Sequence, residues 1–441
     1  MKKLILGSLL LFLALPGMAQ QEYGLHFSSL LNEDLTLESA IRLGLENNNR
    51  FLAAQQEIII AEQKVKEAKF LFLPQLAVQG TATWYDLDYP MVLPESVANR
   101  IIPSHDLKFN NTGNNLTPNE EHQFYGAGVT ATQYLYSGGR LRNTLKIAQA
   151  NLKQAQSKYE TVKNALVRDI KQTFFALLYA QYNAELADEV QAKSARYVRA
   201  INPSAWQKIQ VQYLSSRLTS QKNTADNELR QAQLDMLVIL NKELNSRITV
   251  KGDFKPVAIK QDLNHLNLWS MEFRPELKTA IYALELDNLA IDLALSRKYP
   301  DIILMGSYER LGFKELDDEN KQISLAVRLP LAYNLFTQGT QRKAEQKQST
   351  LRRAQIEDSI RVEVAQHYTN MMFWQSEVLN RQETWDQVQK SFAHAEKTTA
   401  INLYALEALQ TYYQTGKDYY IAVRENLSAK AGLEWAIGQD L

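Results

Sequence analysis

Leu135-Tyr136-Ser137-Gly138-Gly139 returns as Leu335-Phe336-Thr337-Gln338-Gly339, 200 residues further along the chain. The same spacing relates Ala200-Ile201-Asn202 to Ala400-Ile401-Asn402, and it continues through Ala205 and Ala405, Ile209 and Leu409, Gln210 and Gln410, and Tyr213 and Tyr413. One matching triplet is chance; two separated matches at one spacing identify a repeat. Upstream the spacing is 226: the pattern Ile58, Ala61, Val65, Ala68 before Pro74 resembles Leu284, Asp287, Ile291, Ala294 before Pro300. The extra residues belong to 89–121, a Pro-, Asn-, Ser- and Asp-rich stretch that reads as a long loop. Its counterpart, 312–320, is short and charged. The chain is a tandem duplication with one enlarged loop.

Within each half the hydrophobic period changes along the chain. Thr36 can cap a short helix whose stripe is Leu37, Ala40, Ile41 and Leu45, and a second helix from Arg50 to Phe70 stops at Leu73-Pro74. After Pro74 the period is two. Leu76, Val78, Ala82 and Trp84 alternate with Gln75, Gln79, Thr81 and Thr83, and Tyr125, Ala127, Val129 and Ala131 with Gly126, Gly128, Thr130 and Thr132. In the second half Ile323, Leu325, Val327 and Leu329 alternate with Gln322, Ser324, Ala326 and Arg328, and the strand around Ile302 to Glu309 is less regular. Strands of about ten residues, apolar on one face and bearing aromatics near their ends (Trp84, Tyr85, Tyr134, Tyr136, Tyr308, Phe336), fit a membrane barrel. Four strands cannot close one, and lipid does not tolerate an open sheet edge, so the pattern predicts that several copies combine.

The segments after Gly139 and Gly339 are nearly free of helix breakers. Leu141, Leu145, Ala148, Leu152, Ala155, Tyr159, Val162 and Leu166 keep alternating steps of four and three, a heptad stripe that predicts supercoiled packing. Ala344, Leu351 and Ala354 begin a less regular one in the second half. Each long helix is expected to reverse at Ala200-Ile201-Asn202 and Ala400-Ile401-Asn402, with Asn accepting a left-handed conformation and Pro203 opening the next helix. The tip of each hairpin is then remote from its strands.

Lys2 and Lys3, the apolar run Leu4 to Leu15 and the small-residue site at Gly17 and Ala19 read as a secretory signal peptide over 1–19. The chain has no cysteine, which excludes disulfides and lipoprotein processing. Formal net charge is zero, with no basic face or run, so nucleic acid is not an expected partner. His26, His105, His122, His265, His367 and His394 lack ligand spacing, and no cofactor, metal or catalytic constellation is expected. Asp317-Asp318-Glu319 reads as a solvated turn without the spacing of a calcium loop.

The order Leu35-Thr36-Leu37-Glu38-Ser39-Ala40-Ile41, Asn48-Asn49 and Leu73-Pro74-Gln75-Leu76, with Gln133-Tyr134-Leu135-Tyr136-Ser137-Gly138-Gly139-Arg140, resembles TolC-like outer-membrane efflux proteins. The resemblance implies a homotrimer with a twelve-stranded barrel in the outer membrane and a helical tunnel through the periplasm. It also implies a passive duct whose tips dock with a periplasmic adaptor and an inner-membrane transporter. By position, Glu407, Tyr404 and Ser204 are candidates for the periplasmic aperture, and Ala200, Ile201, Asn202, Ala400, Ile401 and Asn402 for adaptor contact. The family's common glycine before the tip is replaced by Thr398. The expected organisation is a first repeat over 20–245 (strands near 74–88 and 122–137, helix hairpin near 140–245) and an equatorial linker over 246–275. The second repeat then occupies 276–441 (strands near 300–311 and 321–336, hairpin near 340–436). The alternative is a secreted or periplasmic coiled-coil structural or adhesion protein, which shares the signal peptide and heptads but does not require paired strands in both repeats.

Overall fold

The computed structural model describes residues 34–84, 123–312, 316, 318–329 and 335–441. The expected signal peptide, the 89–121 loop, Tyr85, Asp317, His26, His105 and His122 lie outside the described residues. The elements run β1 (Asp34–Leu35), α1 (Leu37–Asn47), α2 (Asn49–Phe70), β2 (Gln75–Trp84), β3 (Gln123–Ser137), α3 (Arg140–Ala200), α4 (Ala205–Ile239) and β4 (Thr249–Val250). They continue with α5 (Leu263–Phe273), α6 (Pro275–Ser296), β5 (Asp301–Gly312), β6 (Asp318–Arg328), α7 (Leu335–Thr398) and α8 (Leu403–Ile437). Helices α3 and α7 hold 61 and 64 residues, each roughly 90 Å of helix at about 1.5 Å per residue. Among the described residues no helix is long and apolar enough to cross a membrane.

The upstream half of each repeat is reproduced residue for residue. Helices α1 and α5 have 11 residues each, α2 and α6 have 22 each, and every boundary of the second pair lies 226 positions after the first. Caps explain the starts. Thr36 Oγ1 accepts from Ser39 N at 3.3 Å while Ser39 Oγ accepts from Thr36 N at 2.9 Å, and Asp262 Oδ1 accepts from His265 N at 3.4 Å. The segment 246–275 therefore contains a full helix of the second repeat in addition to a connection, because Asp262 is as good an N-cap as Thr36.

The chain divides into two compact units, one of residues up to Asn48 with Asp169–Val257 and Trp374–Ser428, the other of Asn49–Arg168, Ala258–Phe373 and Ala429–Leu441. Within the first, β1 pairs in parallel with β4, and Asn48 Nδ2 donates to the Ile239 carbonyl near the end of α4 at 3.1 Å. Within the second, Arg274, at the position equivalent to Asn48, donates from Nη1 to the Ala436 carbonyl near the end of α8 at 3.1 Å. Both ties satisfy helix C-terminal carbonyls that have no intrahelical partner. Arg274 also pairs with Glu276 at 2.9 Å and Glu363 at 2.8 Å and lies 4.4 Å over the Trp435 ring, so a guanidinium only 3% exposed is fully engaged.

Four strands form one antiparallel sheet in the order β2-β3-β5-β6. Gly138, with φ of 58°, makes the turn from β3 into α3; a Cβ there would lie 2.6 Å from the Ser296 carbonyl oxygen. An ion pair between Arg140 and Asp301 joins the first residue of α3 to the first of β5. The register places Leu76, Val78, Ala131, Val129, Leu304, Ile302, Ile323, Leu325 and Val327 on one face. Gln75, Gln79, Thr81, Thr130, Thr132, Ser307, Gln322 and Ser324 occupy the other. The apolar face is open: Val78 is 83% exposed and Ile323 84%.

Three local expectations are corrected. Strand β6 stops at Arg328, just before Pro330, which has no N–H for the ladder, and α7 begins at Leu335 instead of near 340. The matching pentapeptides thus differ in structure: Leu135–Ser137 end a strand, whereas Leu335–Gly339 lie within a helix. Asp318 and Glu319 belong to β6, where Glu319 pairs with Lys321 at 3.1 Å, instead of forming a turn. The α3 stripe packs as its heptads predict, with Leu145, Ala148 and Leu152 against Val65 and Ala68. In α7, however, Ala344, Leu351 and Ala354 are exposed, and the buried seam starts further on, at Ile360, Val364, Met371, Val378 and Trp385.

Replacing Arg274 with Ala leaves Glu363 and the Ala436 carbonyl without their cation. The expected loss is about 3–5 kcal/mol, read as a lowered helix-melting temperature by circular dichroism. A melting curve identical to that of the parent protein would show that the tie is dispensable.

Candidate functional site

The hairpin turns lie in the first unit. Helix α3 closes at Ala200, with Ile201 N donating to the Tyr197 carbonyl at 3.0 Å, and α4 starts after Ser204. Gln207 Oε1 accepts from Ser204 N at 2.9 Å, and the Ser204 carbonyl accepts from Lys208 N at 2.9 Å, so Ser204 is the N-cap and Pro203 precedes it instead of opening the helix. In the second turn Thr398 ends α7, and Asn402 Oδ1 accepts from Ala405 N at 3.3 Å to cap α8. The left-handed conformation expected of Asn at these turns is absent: Asn241, with φ of 52°, is the one positive-φ non-glycine among the described residues.

The two caps, Ser204 and Asn402, are 198 residues apart, two fewer than the sequence echo, and α4 and α8 both contain 35 residues. Two residues on a helix are a rotation of about 200°. Residues that match in sequence therefore face opposite ways: Leu409 is 0% exposed and Ile209 61%, and Tyr413 is 2% exposed against 61% for Tyr213. The structural partner of Leu409 is Val211, and both are buried.

Of the candidate residues, Ala200, Asn202, Ser204, Ala400, Asn402, Tyr404 and Glu407 are exposed, and Ile201 and Ile401 half-buried. Ile201 and Ile401 pack on a core containing Val190, Tyr197, Leu406, Leu409 and Tyr412, which holds the two turns together. Tyr404 and Glu407 lie on the opposite side of α8 from Leu406 and Leu409, and the Glu407 carboxylate has no partner among the described residues. Tyr404, Ala405 and Ala408 of α8 line a groove with Val388, Phe392 and Ala395 of α7.

A charged cluster behind the turns was not anticipated from the sequence. Arg196 pairs with Glu396, the Tyr197 hydroxyl donates to Glu396 Oε1 at 3.0 Å, and Lys193 lies 2.8 Å from Glu189 and 3.8 Å from Glu396. The Lys193 ammonium also lies over the Phe392 and Tyr412 rings, 5.0 and 5.3 Å from their centroids. Partial burial works against ionisation of Glu396, but the Tyr197 hydroxyl and the Lys193 and Arg196 cations outweigh it and hold the carboxyl below its usual range. The available signal was opposite charges at one level of two paired helices. Deeper in the unit, Tyr413 Oη donates to Asn183 Oδ1 at 3.3 Å, Asn183 Nδ2 donates to Glu228 at 3.1 Å, and Lys417 donates to Glu228 at 3.2 Å. Burial, then the Glu228 charge, pushes the Tyr413 phenol up to about 12. The first network ties α3 to α7 behind the turns, and the second ties α3, α4 and α8 to one another. Among the described residues no group of three His, Cys, Asp or Glu could hold a metal ion.

Because the Glu396 value is lowered on folding, its contribution is complete above about pH 4.3 and fades as pH falls through the lowered value. Amide protection over Arg196–Trp206, taken relative to the intrinsic exchange rate at each pH, is expected to fall as pH drops through that lowered value. In Glu396→Gln the same amides should exchange fast already at neutral pH, without an acid step; a retained acid step would assign the effect to another group.

The chain has counterparts of known structure. CusC, described for conformational changes accompanying folding and transmembrane channel formation, superposes with a TM-score of 0.72 at 17% identity, over 94% of this chain and 96% of its own. The outer membrane protein VceC of Vibrio cholerae gives 0.71 at 13% identity over 92% and 96%. The open MtrE outer membrane channel of Neisseria gonorrhoeae gives 0.72 at 16% over 91% and 89%. At such identities the likeness establishes the fold. No curated protein sequence matches the chain. The profile of the family described as Outer membrane efflux protein matches residues 40–204, from α1 through the strand–helix junction to the first hairpin turn. Over that stretch the sequence resembles the Outer membrane efflux protein family, and the chain carries the fold of the solved outer membrane proteins above.

Proposed function

We propose that the chain is one protomer of a homotrimeric, passive exit duct of the outer membrane. One observation carries this reading: a four-stranded sheet apolar on its exposed face, polar on the other, with both edge strands, β2 and β6, unpaired on their outer sides among the described residues. In water such a face and such edges invite aggregation. In lipid the apolar face is solvated, and three sheets joined edge to edge close a twelve-stranded barrel in which every edge N–H and C=O is paired. Tyr136 and Tyr299, half-exposed at the helix end of the sheet, suit the membrane interface.

The hairpins then extend into the periplasm. Ala200–Asn202 and Ala400–Asn402 are where a periplasmic adaptor of an inner-membrane transporter docks, and Tyr404, Glu407 and Ser204 contribute to the aperture. An unpaired Glu407 carboxylate supports that role, since a group with no partner in its own chain is free to meet another. A coiled-coil adhesin accounts for the heptads but leaves the apolar sheet face without a purpose. In this reading the energy for transport comes from the partner transporter.

The mass of the protein extracted from outer membranes in mild detergent, measured by light scattering corrected for bound detergent, is expected to equal three chains. A monomer or dimer absent from that fraction would sink the channel reading. Val327→Arg puts a cation on the apolar face and costs about 2–4 kcal/mol at mid-bilayer, so outer-membrane levels of that variant should fall sharply. Unaltered levels would contradict the facing of β6.

A further inference from the structure

The polar face of the sheet, which lines the lumen if the duct reading above holds, is nearly free of charge. By register its charged residues among those described are Asp301, Glu309, Asp318 and Arg328. Asp301 is paired with Arg140, and Arg328 stands opposite Asp301 at the helix end of the sheet. Glu309 and Asp318 remain in the half remote from the helices, where the polar face carries no basic side chain among the described residues. Arg310, Glu319 and Lys321, at the same level, point to the apolar side.

Glu309 differs from Asp318 in being held. Its Oε1 accepts from Gln79 Nε2 at 3.3 Å, although Gln79 is on β2 and Glu309 on β5, with β3 between them. The residue crossed is Gly128, the register partner of both. A Cβ at Gly128 would stand 2.8 Å from Glu309 Cγ and 3.1 Å from the Tyr308 carbonyl oxygen. Only glycine lets the glutamate side chain reach across β3 to Gln79 along the wall of the sheet. We propose that Glu309, laid across Gly128 and anchored by Gln79, is the fixed charge that makes the barrel lumen select for cations.

Three sheets place three such carboxylates at one level. Twelve strands about 4.8 Å apart and tilted about 40° enclose a backbone radius of roughly 12 Å. That is close to the Debye length of about 10 Å at 0.1 M salt, and well inside the 30 Å or so at 0.01 M. The ring's potential therefore reaches the axis in dilute salt, and rings of carboxylates favour cations in other pores. Cationic solutes are the class that gains from this lining.

The test is the reversal potential of the purified full-length protein in planar bilayers under a dilute potassium chloride gradient. The parent protein is expected to prefer potassium. Glu309→Gln should reduce the potassium-to-chloride permeability ratio several-fold, and Gly128→Ala, which displaces the glutamate, should reduce it less. Glu319→Gln, on the outer face, should leave it unchanged. Conductance with an unaltered ratio in Glu309→Gln overturns the proposal alone; a trimeric parent protein that never conducts overturns the duct reading and the proposal with it. A second measurement stands apart from conductance. In a chain without native cysteine, Glu309→Cys should react with a membrane-impermeant thiol reagent in outer membranes while Val327→Cys does not, and the opposite pattern refutes a lumen position for residue 309.

Discussion

An antiparallel sheet of four strands leaves two rows of backbone N–H and C=O groups with nothing to bond, and in this protein both rows border an exposed apolar face. Water solvates the edges but not the face; lipid solvates the face but not the edges. In the proposed duct more copies of the sheet resolve that conflict, and closure would spare the cost of unpaired backbone in hydrocarbon, several kcal/mol per group. The bulge between Tyr134 and Tyr136 and the Gly138 turn carry each sheet into its long helix, so the sheet's geometry also sets where the helices begin.

The duplicated scaffold shows how one architecture is held by different chemistry. At equivalent junctions between two short helices, Asn48 supplies one amide to a helix end, whereas Arg274 supplies a guanidinium that also engages two carboxylates and an indole. The requirement is the same, capping a C-terminal carbonyl of a 35-residue helix, and either donor meets it. The second version is more heavily invested, since a buried cation must have all its donors matched.

Charge is distributed with comparable economy. Near the hairpin turns, Arg196, Lys193, Tyr197 and Glu396 neutralise one another across two helices, so the turns are fastened while Glu407 and Tyr404 stay free on the outer side. On the sheet, the polar face mixes Gln, Thr and Ser with apolar residues such as Ile303 and Met305, and in the half remote from the helices Glu309 is the carboxylate anchored from another strand.

Much of the fold was legible in the residues. The period-two alternation placed β2, β3 and β6, Pro74 and Pro300 marked where helix gives way to strand, and the spacing of 226 read for α2 and α6 also relates α1 to α5, a helix that lies inside the expected linker. These features are local: a proline without an N–H or a side chain alternating across a pleat acts wherever the chain goes. The spacing of 200 misled because sequence likeness is blind to rotation. Two residues of slippage leave Leu409 and Tyr413 in the core and turn Ile209 and Tyr213 outward, and only packing against neighbouring helices decides which face is buried. For the same reason the buried seam of α7 lies at Ile360 and beyond instead of at Leu351, the Arg196–Glu396 tie was invisible, and the reach of Glu309 over Gly128 to Gln79 depends on a strand order, β2-β3-β5, that joins residues 230 apart. By itself the sequence determined which segments are helix, which are strand and that the unit is duplicated, because those follow from backbone chemistry and local pattern. Tertiary structure alone decided which helix faces meet, which caps correspond and which charges are paired, because those depend on neighbours brought together from distant parts of the chain.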